Sequence, residues 1–312
     1  MSKLPLVIIN PESAGGATKK AWPGIASDLA THFGAFEVAF TKERGDGLKV
    51  AAEAAKAGHA FIVACGGDGT INEVANGILR SGIDAELGVL PSGTGGDFRK
   101  TLEIPTRAAD AALVLRKGRT EKMDVGRVTF LDHSGKEETR YFLGVSSFGL
   151  GGEVIQRVKE DSSWVGKALP GVAAYATAAL RAKLSTANRQ VLVQLDDKEA
   201  LCLTVTNLCV ANAKYFGGGM YVAPGAKLND GKFDVVCIGD LSTSKVLTNA
   251  YKLYLGTHFS IEEVNHALAS RIMVQPLSRD EIIKLEVDGE LPGRLPATFE
   301  IVPKTLSVRV PN

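Results

Sequence analysis

Short apolar runs, each closed by a glycine-rich polar turn and followed by helical spacing, recur through the first third of the chain. Leu6–Ile9, Phe36–Phe40, Phe61–Cys65 and Leu87–Leu90 read as strands. Strands that are apolar throughout belong to parallel sheets covered on both faces. Between and after them the spacing predicts helices over Thr18–His32, Asp46–Ala57, Thr70 to about Leu79, and Arg107–Arg116. Strands alternating with helices of this length predict a doubly wound parallel sheet. From Lys122 the texture changes to strands with few helices. The strands are Lys122–Phe130, Arg140–Val145, Gln190–Leu195, Leu201–Val210, Phe233–Ile238, Arg271–Val274, Ile282–Val287 and Phe299–Val302. Helices interrupt them only at Pro170–Ala182 and Ser244–Gly256. This predicts a β-rich second domain, a sandwich with antiparallel pairing. The boundary falls near Gly126, giving an α/β domain over 1–126 and a β-rich domain over 127–304. The strand Leu306–Val310, within 305–312, is free to return to the first domain.

The predicted sheet places three polar turns at the carboxyl ends of its strands, where ligands of such sheets bind. They are Asn10–Gly16, Gly66–Thr70 and Pro91–Phe98. The second reads Gly66-Gly67-Asp68-Gly69-Thr70. Its glycines permit unusual backbone angles and close approach of another molecule. Thr70 and Glu73 have capping-box spacing, so the helix is expected to begin at Thr70. Its N–H groups and dipole would then face a phosphate. A plain strand-to-helix connection would need the glycines but not Asp68. An acid beside a phosphate cradle suits Mg²⁺ binding or proton acceptance.

Composition narrows the partners. The 312 residues are 45% hydrophobic and 23% charged, with a formal net charge of +1. This is ordinary globular composition, with no global field favouring nucleic acid. Cys65, Cys202, Cys209 and Cys237 form no C-x-x-C pair and lie in apolar runs. They are expected to be buried free thiols in a reducing cytoplasm. The five histidines have no zinc-ligand spacing, and neither a P-loop nor a complete G-x-G-x-x-G occurs. The N-terminus lacks a signal-peptide layout. The longest apolar stretch, Trp164–Leu180, is too broken to span a bilayer.

The ordered motifs resemble a known family. They are Asn10-Pro11 with Gly15-Gly16, Gly66-Gly67-Asp68-Gly69-Thr70 with Asn72-Glu73-Val74, and Leu90-Pro91-Ser92-Gly93-Thr94 with Asp97-Phe98. Pro224–Val235, containing Asp230-Gly231 and Asp234, and Asp288-Gly289-Glu290 continue the series. Together they resemble the diacylglycerol kinase catalytic-domain family, which includes bacterial lipid kinases and is related to ceramide and sphingosine kinases. The resemblance implies an N-terminal domain like those of NAD kinases and phosphofructokinases. It implies ATP- and Mg²⁺-dependent transfer of a phosphoryl group to a lipid hydroxyl. ATP would be held by Asn10, Thr41, Gly66, Gly67, Asp68, Gly69, Thr70, Asn72 and Glu73, with Gly93, Thr94 and Asp97 from the third turn. Glu290 would be the general base, supported by Asp68. A Mg²⁺ in the second domain would use the Asp230 carboxylate and the main-chain oxygens of Lys227 and Lys232. Without the resemblance, Asp230-Gly231 and Asp288-Gly289 are simply turn signals. The chain departs from the family at Gly96 and Gly144, where asparagine is usual.

The acceptor would be diacylglycerol-like or ceramide- or sphingoid-like, and Trp164–Leu180 is a candidate lipid-facing segment beside its reading as a packing helix. These readings place the enzyme in the cytoplasm, peripheral and transient at the inner membrane face, and leave room for a homodimer. The rivals are an NAD kinase-like enzyme, which shares Gly-Gly-Asp-Gly-Thr, and a catalytically silent nucleotide- or lipid-binding module.

Overall fold

The computed structural model describes residues 3–92, 96–153 and 187–312. Gly93, Thr94 and the segments Trp164–Leu180 and Pro170–Ala182 lie outside the described residues. The chain divides into two compact units, one of residues 1–124 with 303–312 and the other of residues 125–302.

In the first unit, β1 (Leu6–Ile9), α1 (Ala17–His32), β2 (Glu37–Phe40), α2 (Asp46–Lys56), β3 (Phe61–Gly66), α3 (Asp68–Ser81), β4 (Glu86–Pro91), α4 (Asp97–Thr101) and α5 (Ala108–Lys117) follow in order. The strands pair in parallel in the order β2-β1-β3-β4. Residues Ser307 and Val308 add a fifth parallel strand beside Glu86 and Leu87. Val7, Ile8, Ile9, Ile62, Val63 and Leu87 are fully buried, as strands covered on both faces must be. Helix α2 packs on α3, and α1 on α5. Right-handed crossovers put these two pairs on opposite faces of the sheet.

The second unit is antiparallel. Its strands are β5 (Arg119–Asp132, entering the unit at Val125), β6 (Glu137–Phe142), β7 (Val145–Gly149), β8 (Arg189–Leu195), β9 (Leu201–Val205), β10 (Asn207–Ala211) and β11 (Phe233–Ile238). Helix α6 (Thr243–Leu255) precedes β12 (Val264–Ala269), β13 (Arg271–Pro276), β14 (Lys284–Val287) and β15 (Glu290–Val310). One series runs β12-β11-β10-β7-β14-β15, and a second runs β9-β8-β13-β15. Phe130, Phe142, Phe148, Phe233 and Phe299 fill the core. The Phe142 ring stacks on Phe233 at 5.6 Å and meets Phe299 edge-on.

Four expected strands come out differently. Arg140–Val145 is two strands, because the Leu143, Gly144 and Val145 amides turn aside to the Asp288 carboxylate. Leu201–Val210 breaks at Thr206, whose N–H is shared between the Ile238 and Gly239 carbonyls while the chain changes partner from β8 to β7 and β11. Phe299–Val302 and Leu306–Val310 are one element, the 21-residue β15. The cysteines also need correction. Cys65 and Cys209 are buried, Cys237 is half-buried, and Cys202 is exposed. Cys202 lies on β9, which among the described residues pairs only with β8, so alternate side chains of this edge strand face water. Burial pushes the Cys65 thiol up to about 12. Ellman's reagent at neutral pH is therefore expected to react rapidly with Cys202 alone in the native protein. Cys202→Ser should abolish that phase, and a persisting fast thiol would contradict the placement.

Candidate active site

Strand order decides where a ligand can sit in the first unit. From β1 the chain moves to β2, and from β3 it moves the other way to β4. The turns after β1 and β3 therefore flank the switch point, where open α/β sheets bind ligands. Side chains stitch these turns together. Asn10 Nδ2 donates to Thr70 Oγ1 at 3.2 Å, and Ser13 Oγ lies 3.4 Å from the same oxygen. The third turn is tied in through the Ser92 N–H, which donates to the Gly66 carbonyl at 3.0 Å. Thr18, which the sequence did not single out, donates from Oγ1 to the Ser92 carbonyl at 2.7 Å.

These bonds overturn the capping-box expectation. Helix α3 begins at Asp68 with Gly67 as N-cap and no side-chain cap, two residues earlier than expected. Thr70 is committed to the first turn. The Glu73 carboxylate reaches away to the Gly45 and Gly47 N–H groups at 2.8 and 3.0 Å, fastening the loop before α2. The glycines also act differently from the expectation. None of Gly66, Gly67 and Gly69 is left-handed. A Cβ on Gly66 would lie 2.4 Å from Thr70 Oγ1, so Gly66 supplies room. A Cβ on Gly69 would meet nothing within 4 Å. The first-turn N–H groups of α3, which no helical carbonyl can satisfy, are thus approachable by an anion.

Asp68 has a structural task. Its two carboxylate oxygens accept the Asp97 and Phe98 N–H groups at 3.0 and 3.1 Å, starting α4. Each oxygen keeps a further acceptor site. Asp97 itself is buried, with Lys100 Nζ 3.4 Å from Oδ1. Asn72 accepts from Asn76 through its carbonyl and Oδ1 at 3.0 and 3.1 Å. Thr41 is buried just past β2, and its N–H donates to the Ile9 carbonyl at 2.9 Å.

In the second unit, Asp288-Gly289 forms the two-residue turn between β14 and β15, with Val287 opposite Glu290. Both turn residues are left-handed, φ 45° and 82°, as a type I′ hairpin requires. Asp288 accepts three amides, from Leu143, Gly144 and Val145, at 2.8, 2.9 and 3.1 Å. Glu290 Oε2 lies 3.3 Å from a guanidinium nitrogen of Arg140, which also binds Glu138.

Asp230 is exposed in a turn before β11. Its Oδ1 accepts the Lys232 N–H at 3.1 Å, and Gly231 is left-handed. One carboxylate with the neighbouring carbonyls of Lys227 and Lys232 is a hard-oxygen set that suits Mg²⁺ completed by waters. Among the described residues, no three His, Cys, Asp or Glu side chains converge on a metal position. Four residues along, Asp234 is buried. Burial raises its carboxyl above the usual range, partly offset by His266 Nε2 at 2.7 Å. The second unit also holds an apolar cavity of about 230 Å³, roofed by α6. Phe216, Met220, Val222, Leu253, Ile261 and Val264 line it. His258 is buried at its edge, and burial lowers the imidazole below its ordinary value.

Two family descriptions together cover almost the whole chain. Residues 5–128 match the diacylglycerol kinase catalytic domain, and 144–310 match the YegS C-terminal NAD kinase beta sandwich-like domain. The chain belongs to the diacylglycerol kinase family. It is a lipid kinase of that family. It is 28% identical over its full length to the diacylglycerol kinase of Staphylococcus saprophyticus, of which it covers 97%. The Staphylococcus carnosus diacylglycerol kinase is 26% identical, with 100% and 96% covered. A Bacillus anthracis structure provisionally assigned as a diacylglycerol kinase superposes with a TM-score of 0.77 at 25% identity. That superposition covers 98% of this chain and 95% of the other.

Within the family frame, the two glycine departures have local explanations. Gly96 is left-handed and immediately precedes α4, a conformation asparagine also tolerates. At Gly144 a Cβ would lie 2.8 Å from Asp288 Oδ1. The missing side chain lets that carboxylate reach the three amides directly. No helix among the described residues is long and apolar enough to cross a membrane. Besides Thr18, sequence reasoning passed over Arg140 and Glu286. A glutamate between Leu285 and Val287 in the expected strand Ile282–Val287 was the available signal. Asp288→Ala should strand three amides and cost about 3 kcal/mol of stability, measured by urea unfolding. A loss below about 0.5 kcal/mol, the range of an ordinary surface change, would deny Asp288 its clamping role.

Proposed function

We propose that this chain transfers the γ-phosphate of ATP to a lipid hydroxyl, using Mg²⁺. The observation that carries the reading is the open first turn of α3 at the switch point of the first sheet, with Gly69 uncovered. Its main-chain N–H groups would cradle the phosphates. Asn10, Ser13 and Thr70 would hold the flanking turns in register through the bonds described. Thr41, Asn72, Glu73, Gly93, Thr94 and Asp97 complete the proposed nucleotide set. Asp68 would shape the third turn and, through its remaining acceptor sites, support the reacting groups.

Glu290 would take the proton from the lipid hydroxyl as that oxygen attacks the γ-phosphorus and the bond to ADP breaks. Arg140, 3.3 Å from it, would orient the carboxylate. When bound, Mg²⁺ supplies charge neutralisation for the phosphates, and Asp230 with the Lys227 and Lys232 carbonyls would hold a metal in the second unit. The cavity beneath α6 supports an acyl-chain acceptor, because it is apolar and roomy rather than lined for a polar sugar or base. Along α6, Leu247, which also lines the cavity, Tyr251 and Leu255 are 48%, 57% and 63% exposed at four-residue spacing. That stripe suits peripheral, transient contact with a lipid surface.

The test is transfer of radiolabelled γ-phosphate into a mixed bacterial lipid extract by wild type and Glu290→Gln. One labelled lipid is expected, with the variant slower by at least about 100-fold. Equal labelling would remove Glu290 as the base. No labelled lipid, or NADP formed from NAD, would overturn the reading. Ala250→Trp, which fills the cavity from α6, should raise KM for the lipid and leave KM for ATP unchanged.

A further inference from the structure

Glu286 sits on β14 between the core residues Leu285 and Val287 and is 2% exposed. A buried carboxylate is costly unless its oxygens are satisfied, and a strand needing only to pack would carry an apolar residue here. The pairing of β14 with β15 shifts register between Leu285 and Val287, so Glu286 stands at the irregularity. Its Oε1 accepts the Gly289 N–H at 2.6 Å, and its Oε2 accepts the Ser147 hydroxyl at 2.6 Å. Ser146 donates to the Glu286 carbonyl at 2.5 Å. Both serines are fully buried on β7, so the carboxylate is moored to the sheet before it reaches the turn.

The turn is therefore held from two directions. Asp288 reaches out to the amides of 143–145, and Glu286 reaches up from the core to Gly289. Asp288 occupies a left-handed conformation that a non-glycine residue keeps only when its surroundings impose it. The next residue is Glu290. A short charge-assisted bond to the preceding residue fixes where the Glu290 backbone begins, and its Arg140 partner then sets where the carboxylate ends.

We propose that Glu286 is a positioning residue for Glu290, an inference that rests on the assignment of Glu290 as the base. Glu286→Gln keeps the volume but offers one acceptor oxygen to two donors. A displacement of the base by about 1 Å is worth about 100-fold in rate. The expectation is a folded E286Q enzyme with kcat lowered 10- to 100-fold and KM for ATP unchanged. In the E290Q background the same substitution should have no further effect, since residues acting as one unit are not additive. Should E286Q not fold, Glu286→Asp retains the charge but falls short of Gly289 and serves in its place, with the same expected pattern.

Wild-type kcat in a folded E286Q or E286D would overturn the proposal while leaving Glu290 intact as the base. Full multiplication of the two losses in the double variant would overturn it as well, because Glu286 would then act independently. Loss in E286Q with wild-type activity in E290Q would remove the base assignment and this inference together. A shift in unfolding midpoint with unchanged kcat would mark Glu286 as structural only.

Discussion

Loops in this protein are held by carboxylates that accept main-chain N–H groups from another segment. Asp68 holds 97–98, Glu73 holds Gly45 and Gly47, Asp288 holds 143–145, and Glu286 holds Gly289. Asp124 does the same for Lys304, at 2.7 Å. Loop amides outside helices and ladders must find acceptors somewhere, and an ionised acceptor makes the stronger bond. The protein solves the accounting with acids drawn from helices, strands and a hairpin turn. On the surface the same device lowers the Asp46 carboxyl below its ordinary range, through the amides of Lys42 and Glu43.

This constraint gives the two units a common construction. In the first unit, the first turn of α3 is left uncovered at Gly69 while the residues around it are tied down. Thr70, Asn10 and Ser13 form one knot, and Asp68 with the 97–98 amides forms another. In the second unit, a hairpin in an otherwise costly left-handed conformation is held so that Glu290 follows it at a defined point. Rigid surroundings and an open centre are what phosphoryl transfer needs, since positioning and electrostatics supply most of its catalysis.

The strands were legible wherever an apolar run was both buried and uninterrupted. Val7–Ile9 and Ile62–Cys65 carry their parallel-sheet placement in composition alone. The turn after β1 and the Asp288-Gly289 hairpin were also readable, because left-handed backbone restricts residue choice locally. What escaped was tertiary. The Thr70–Glu73 spacing is a genuine local signal, but both side chains are claimed by other loops. The break after Phe142 is made by Asp288, some 145 residues away in sequence, and no window of local pattern contains it. Cys202 looked buried because neighbouring residues are apolar, yet membership of an edge strand is a property of pairing rather than of composition.

Strand β15 carries a consequence for the order in which the protein can mature. The parallel sheet of the first unit gains its partner beside β4 only from Ser307 and Val308. During synthesis, four of its strands emerge early, while the fifth waits for nearly the whole second unit to be made. Until then β4 presents an unpaired edge, the kind of surface on which chains aggregate. The nascent chain thus has to delay, shield or outpace that exposure, and Ser307 and Val308 act as the latch that ends it.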